Sequence, residues 1–474
     1  MYYGVDQSWF NSSVCGGSWC RPILNGDNAV TGFGTSKFAS SCAYQTAGGG
    51  ANALTMTGGN RANIFIDGFE LTGVCSSRSN GGNGGNDVYL GVGGTGNYGL
   101  GMVVYRNLYI HGWSVTSAAG KGNNAIPCNM FGGGTNGLQT LVGIVVDGSD
   151  SNPSVCAWGG FPAMYHLKDS IFRYTTQGVG EWCHDIHDNI FEHFFNPAWP
   201  THGNMLECND NSAGNAPNQP QNTPNVFYNN IFRHDDPGFG AAGQVHFWVC
   251  PEVVPEFYFN NLFYDIANEN YWDIAGPPGY SCPNTGTQKL FNNTLVDGTQ
   301  PCHLSGSNQT GGQYLTVLNQ HLINTPYDGT GCTGYNDPSN VAMSSPAATT
   351  QGYTTGSAGS SGSPNACANE GTTPCAPLQG TNGTVVAGGN RMAFCSTLAG
   401  YTSESQISSD AANACKFGTT DACSYNANTH TMNCPGQSPV ARPSTTAWDS
   451  GAYQFSSSRA QAPQAPTNLQ ATVQ

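Results

Sequence analysis

Asp188-Asn189-Ile190-Phe191, Asn229-Asn230-Ile231-Phe232 and Asn260-Asn261-Leu262-Phe263 are three copies of one phrase: a pair of Asp/Asn, an aliphatic residue, an aromatic one. Asp169-Ser170-Ile171-Phe172 and Asn292-Asn293-Thr294-Leu295 extend the series, and Asp67-Gly68-Phe69-Glu70, Arg106-Asn107-Leu108-Tyr109 and Asp147-Gly148 are looser forms. Short apolar β segments stand before several of them, among them Ile64-Phe65-Ile66, Val226-Phe227-Tyr228 and Phe257-Tyr258-Phe259. The copies recur about every 20 to 40 residues, with no amphipathic 3.6-residue period between them, so helical repeats are not expected. A solenoid of parallel strands fits: Asn tolerates the left-handed bend, and stacked Asn amides form a ladder along the axis. A Phe above a Phe makes an aromatic stack inside. An antiparallel sandwich would need hairpins roughly every 8–12 residues, closer together than these phrases.

The phrases of roughly residues 60–325, together with Trp448-Asp449-Ser450-Gly451-Ala452-Tyr453-Gln454-Phe455, carry a resemblance. They make the chain similar to secreted bacterial right-handed parallel β-helix proteins of the pectin-lyase-like superfamily, whose closing phrase is Asp-x-Gly-Ala-Tyr. The resemblance implies an all-β, right-handed parallel β-helix. That superfamily holds polysaccharide lyases, glycoside hydrolases, esterases and non-enzymatic adhesins, so the fold leaves the activity open.

Composition narrows the classes. Of 474 residues, 64 are Gly and 27 Pro, only 9% are charged, and the net charge is −15. Helical bundles and coiled coils are excluded by this composition, and an acidic chain without a basic run is a poor nucleic-acid binder. No apolar run reaches the roughly 18–20 residues of a membrane span. The 18 cysteines are spread along the chain without a Cys-x-x-Cys pair, which reads as disulfides and an oxidising, extracellular setting. Nearest-neighbour pairing gives loops such as Cys183–Cys208 and Cys250–Cys282. Met1 is expected to be an added start on a chain whose leader is removed.

Four regions are expected: an N-terminal cap with the first coils (1–60), the β-helix (61–330), Cys/Ser/Gly-rich last coils and disulfide-pinned loops (331–455), and a Pro-rich linker (456–474). The linker ends in Thr467–Val473, which resembles the first strand of a fibronectin type III domain and implies a further C-terminal domain.

Between His166 and Asp273 lie seven of the eleven histidines and 17 charged residues. Aligning the phrases places Arg173, Glu192, Arg233 and Tyr264 in one column and Tyr174, His193, His234 and Asp265 in the next. Neighbouring coils are about 4.8 Å apart, and if Phe172, Phe191 and Phe232 point inward, Arg173, Glu192 and Arg233 point outward. The expected site is a polysaccharide groove on this exterior strip, with Trp182, Trp248 and Trp272 offering faces to sugar rings. Hydrolysis needs two carboxylates: Glu192 as acid/base, with Glu207 or Asp235/Asp236 as its partner. Elimination would instead use Arg173 and Arg233 to stabilise an enolate, helped by His193 or His234. A non-catalytic glycan-binding, adhesin or self-assembling module is the reading from another class. A solvated charge ladder is the plain reading of the strip.

No cofactor or metal set is expected. Calcium enters only as a bridge to a polyanionic substrate or at Asn80–Asp87, where acids are few. His184-Asp185-Ile186-His187 looks like a metal motif, but His residues three apart on a strand face opposite ways. Asp185 with His187 on one face, and His166 on a neighbouring coil, is the arrangement left to it.

Overall fold

In the closer copies the first residue of the pair turns a corner; the looser copies at Asp67-Gly68 and Arg106-Asn107 are displaced by one, their corners being Gly68 and Asn107. Asn107, Asp169, Asp188, Asn229, Asn260, Asn292 and Asn319 have φ between 53° and 58°, the left-handed region that Asn and Asp enter more readily than other side chains. Gly68 and Gly143 take the same place at φ 81° and 66°. The copy read at Asp147-Gly148 is displaced: its corner is Gly143-Ile144, and Asp147 ends the strand that follows.

The computed structural model describes residues 2–4, 23–25, 54–56, 64–72, 75–76, 88–92, 102–112, 114–115, 129–133, 138–149, 166–175, 179–181, 183–194, 204–208, 224–233, 244–248, 255–264, 272–276, 288–296, 303–306, 315–325, 337–344, 346–347, 388–418, 423–434 and 439–454. Sheet A has ten strands, from Tyr2–Gly4 to Leu315–Leu318, and sheet B has eleven, from Ile23–Asn25 to Val341–Met343. In both, strands neighbour one another in chain order and pair parallel. Each winding therefore adds one strand to each sheet. Sheet C adds five more parallel strands, Val179–Glu181, Asn204–Cys208, Gln244–Trp248, Trp272–Gly276 and His303–Gly306. The chain is thus an all-β parallel solenoid.

Two columns fill the interior. On sheet B, Val146, Phe172, Phe191, Phe232, Phe263, Leu295 and Leu322 are in register and buried. The rings stack at centroid distances of 5.7 Å (172–191), 5.0 Å (191–232) and 4.8 Å (232–263). Leu167, Ile186, Phe227, Tyr258, Leu290 and Val317 do the same on sheet A.

The second residue of each pair lies inside the corner and builds the expected ladder. Asn189 Nδ2 donates to Asn230 Oδ1, Asn230 Nδ2 to Asn261 Oδ1, and Asn261 Nδ2 to Asn293 Oδ1, each at 3.0 Å. The same amides donate to the carbonyls of Leu167, Ile186 and Phe227 at 2.9–3.0 Å. Backbone groups at the corner that no strand can satisfy are satisfied by these side chains, as buried polar groups require.

Residues 388–454 differ from the loops expected there. They hold helix α1 (Met392–Ala399), helix α2 (Ser405–Cys415) and a hairpin of Ser424–Asn426 with Thr431–Asn433. Cys395–Cys415 joins the two helices and Cys423–Cys434 closes the hairpin; Cys183 is disulfide-bonded as well. The helices pack on the outer face of sheet A, where Cys395, Leu398, Ala411, Ala412 and Cys415 meet Val226, Tyr228, Phe257, Phe259 and Phe291. The hairpin packs on the outer face of sheet B, where Cys423, Tyr425 and Tyr453 meet Ile171, Ile190, Ile231 and Leu262. Among the described residues no helix is long and apolar enough to cross a membrane.

This clasp docks on the corner asparagines. Asn260 donates to Phe417 O at 2.9 Å, Asn292 to Asp449 O at 2.8 Å, and Asn319 to Gly389 O at 2.7 Å. Gly451 must be glycine. Its φ is +92°, and a Cβ would lie 2.6 Å from Thr294 Oγ1 and 2.7 Å from His321 Cβ, because the closing phrase runs directly against the last coils.

Candidate functional site

The strip expected on sheet B exists, and it is closed. Asp147, Arg173, Glu192, Arg233 and Tyr264 are consecutive register partners on five coils. Their charges alternate. Arg173 Nη1 lies 3.6 Å from Asp147 Oδ2 and its Nε 3.0 Å from Glu192 Oε1, the latter a charge contact rather than an aligned hydrogen bond. Arg233 Nε donates to Glu192 Oε2 at 2.7 Å and its Nη1 to Tyr264 Oη at 3.0 Å. Tyr425 of the hairpin lies over the ladder: its hydroxyl donates to Asp147 Oδ2 at 3.2 Å, and the Arg173 guanidinium sits 5.1 Å from its ring.

Side-chain exposure is 6% for Arg173, 0% for Glu192 and 7% for Arg233. The alternation argument gave the right face, but a face covered by Tyr425, 278 residues after Asp147, is no groove. A general acid has to reach the leaving-group oxygen, and Glu192 is sealed between two guanidinium groups. Arg173 and Arg233 are likewise engaged by Asp147 and Glu192 rather than turned toward solvent. A solvated ladder is not what is found either, since the hairpin excludes water from it.

The other expected residues divide. Glu207 is in sheet C, paired with Gly180 and Phe247, so it follows Glu192 on the same winding but on another sheet, and the two do not line one strip. Trp248 pairs with Cys208 and Ile274, and Trp272 with His246, also in sheet C. His193 sits at a left-handed position, φ 53°, with its ring stacked on Tyr174 at 4.5 Å. Trp182, His234, Asp235, Asp236 and the Asn80–Asp87 segment lie outside the described residues.

Sheet A carries a second polar patch. Strand pairing sets His166 beside Asp185 and Lys168 beside His187. Asp185 and His187 are two apart on one strand, hence on one face. Asp185 Oδ2 lies 3.0 Å from His166 Nδ1 and 3.8 Å from His187 Nε2. His187 Nδ1 is 2.6 Å from Asp188 Oδ2, and its ring stacks on Tyr228 at 4.5 Å. His184, one residue before Asp185, puts Nδ1 2.8 Å from Asn225 Oδ1 and Nε2 2.6 Å from Glu404 Oε2. Glu404 is the N-cap of α2 yet makes no side-chain cap bond; its carboxyl turns to His184 instead. The rings of His166 and His184 meet edge to face at 5.9 Å. Unlike the ladder, this patch reaches solvent: side-chain exposure is 16% for His166, 10% for Asp185, 16% for Glu404 and 20% for Asp188.

Its protonation is divided. Burial raises the Glu404 carboxyl to about 7. Burial, with His166 nearby, lowers His184 to about 4. These directions agree with the geometry: if His184 donates its Nδ1–H to Asn225, its bare Nε2 accepts from a protonated Glu404. Asp185 lies below the ordinary carboxylate value: burial, the largest influence, acts against ionisation, and His187, His166 and His184 together outweigh it. Burial pushes His187 down, but Asp185 and Asp188 prevail and raise it to about 9. Asp169 is raised by burial and by Asp188 on the next coil.

Glu404 could not be found from the repeat, because it belongs to no coil. Its signal was the apolar spacing Ile407, Ala411, Ala412, Cys415 in Ser-rich text, a helix face hidden by composition. Asp169, Cys423 and Cys434 also lie together, but the two sulfurs form a disulfide and offer no thiolate ligand. Compared with protein-family models, characterised proteins and solved structures, the chain matches none, so its chemistry has to be carried by its own residues.

Proposed function

We propose that this chain is a secreted, right-handed parallel β-helix of pectin-lyase-like type, pinned by disulfides, that hydrolyses an extracellular polysaccharide at the His166–Asp185–Glu404 patch. The observation that carries the reading is the split between two carboxyls: Glu404, kept protonated up to about 7, and Asp185, held ionised. Pairs of acids driven apart by their surroundings are how a hydrolase divides acid and base roles. Glu404 gives its proton to the glycosidic oxygen. His184, lowered to about 4, competes poorly for that proton. Asp185 takes the proton of the attacking water, and His166 orients the carboxylate by its contact at 3.0 Å.

Glu404→Gln and Asp185→Asn, assayed for new reducing ends on a polysaccharide panel, are each expected to lose roughly 10²–10⁴ of the turnover, the range of general acid–base catalysis. Unchanged turnover in both removes the assignment. One observation favours a non-catalytic glycan-binding or surface module: the clasp covers outer faces of both long sheets, where a groove would otherwise run. Binding of a glycan without new reducing ends selects that reading. Product with the ultraviolet absorbance of an unsaturated uronide selects a lyase.

A further inference from the structure

We propose that Asn225 is the positioning residue of this site: it holds the hydrogen of His184 on Nδ1 and thereby keeps the hydrogen of the His184–Glu404 contact on the carboxyl. His184 links a coil to the clasp, with Nδ1 2.8 Å from Asn225 Oδ1 and Nε2 2.6 Å from Glu404 Oε2. His184 and Asn225 are 1% and 0% exposed, so water does not stand in for either partner.

The hydrogens can be counted. An amide oxygen only accepts, so Nδ1 carries one. A neutral imidazole has no second, which leaves Nε2 bare. A bare nitrogen 2.6 Å from a carboxyl oxygen is satisfied when the carboxyl donates. Imidazolium beside carboxylate is the other way to fill both contacts, and burial acts against it at both ends: it lowers His184 and raises Glu404. Among the surrounding groups, His166, edge to face at 5.9 Å, acts with burial on His184, and Asp185 acts against it. His187 is engaged by Asp185 and Asp188, and Asp410 of α2 bears on Tyr228.

The direction of the Asn225 amide therefore decides the charge of Glu404. Turned over, Asn225 would present an N–H to Nδ1; the imidazole hydrogen would move to Nε2, and Glu404 would accept it as a carboxylate. The next coil opposes that turn. Glu256, register partner of Asn225, is 1% exposed and accepts from Tyr258 Oη at 3.4 Å. The coil on the far side of Asn225 from His184 thus offers acceptor oxygens, the matching side for the amide N–H groups. The catalytic consequence rests on the hydrolase reading above; the placing of the hydrogens does not, and is read without any substrate.

The test uses the full, oxidised chain and follows the nitrogen shifts of ¹⁵N-labelled histidine and the carboxyl shifts of ¹³C-labelled glutamate. His184→Gln and Glu404→Gln identify the two signals. Expected in the wild type are a neutral His184 protonated on Nδ1 and a Glu404 carboxyl that titrates at about 7. Asn225→Asp, nearly the same in shape, sets a carboxylate against Nδ1 and favours the imidazolium. Glu404 should then titrate below about 7, toward the ordinary 4.5, and the basic limb of kcat should move to lower pH with it while KM stays. Asn225→Leu, which only removes the acceptor, should move the same signals less. A hydrogen on Nε2 of wild-type His184 overturns the proposal, and so does a folded Asn225→Asp chain whose Glu404 titrates as in the wild type. Should Asn225→Asp fail to fold, Asn225→Leu and the wild-type nitrogen shifts decide; should both fail, the wild-type shifts decide alone. A shifted titration in a protein that cleaves no glycan keeps the role of Asn225 and removes the hydrolase reading; glycan cleavage with an unshifted titration does the reverse.

Discussion

The solenoid carries two polar files, one on the outer face of each long sheet, and they differ in completeness. On sheet B each charge meets its opposite on the next coil, from Asp147 through Arg173 and Glu192 to Arg233, and the hairpin seals the file. On sheet A the file stops short. His166, Asp185 and His187 crowd one carboxylate oxygen while the other has no hydrogen-bond partner. The patch stays partly open, and its protonation is split. Identical register physics produces both. A file whose charges pair and are sealed is structural, and one that stays partly open to solvent is where chemistry has room to act.

The largest effect expected from breaking this contrast is on turnover. Glu404→Gln should lower it roughly 10²–10⁴-fold with little change in unfolding, whereas Glu192→Gln should do the opposite. Glu192→Gln strands Arg173 and Arg233 without their counter-charge, and removing one partner of a buried ion pair costs about 3–5 kcal/mol, readable in urea unfolding. If Glu192→Gln unfolds like the wild type but is inactive, the roles of the two files are reversed.

A smaller effect concerns His321, a buried histidine on the last coils. Burial lowers His321 to about 4, against an ordinary 6.5. Its folded value is depressed, so its contribution to stability is present above about 6.5 and is lost as pH falls through about 4. His321→Gln should flatten the acid limb of stability by up to about 3 kcal/mol; an unchanged acid limb shows that other groups govern it. Smallest is the ladder common to both sheets. Asn230→Ala removes the acceptor for Asn189 and the donor to Ile186 O, for a loss of about 1–3 kcal/mol. Asn229→Gly, which keeps the left-handed corner and leaves the ladder intact, serves as the comparison.

Much of the architecture could be read from the phrases, since each residue of the pair has one physical job. The first makes a left-handed bend and the second an amide rung, and both jobs are local to sequence. The order of Arg173, Glu192 and Arg233 followed from the same alignment. What local pattern could not supply was the clasp. Tyr425 reaches Asp147 across 278 residues, and Glu404 reaches His184 across 220, contacts that no spacing within a coil encodes. For that reason the outward face was read as open. Glu207 falls on the winding between Phe191 and Phe232 but on sheet C rather than beside Glu192, because the repeat marks the A–B corner and says nothing of where sheet C begins. The placement of Asp185 and His187 on one face, with His166 on the neighbouring coil, followed from strand alternation alone.

The bond between His184 and Glu404 has a consequence for how the protein comes into being. Coils can stack one after another as the chain emerges, each resting on the one before. Glu404, by contrast, is contributed by a segment made 220 residues later, whose own fold is held by two internal disulfides. A nascent or clipped chain lacking that segment would keep its coils and lose the partner of His184, so on the hydrolase reading proposed above activity would certify that synthesis, oxidation and docking had all been completed.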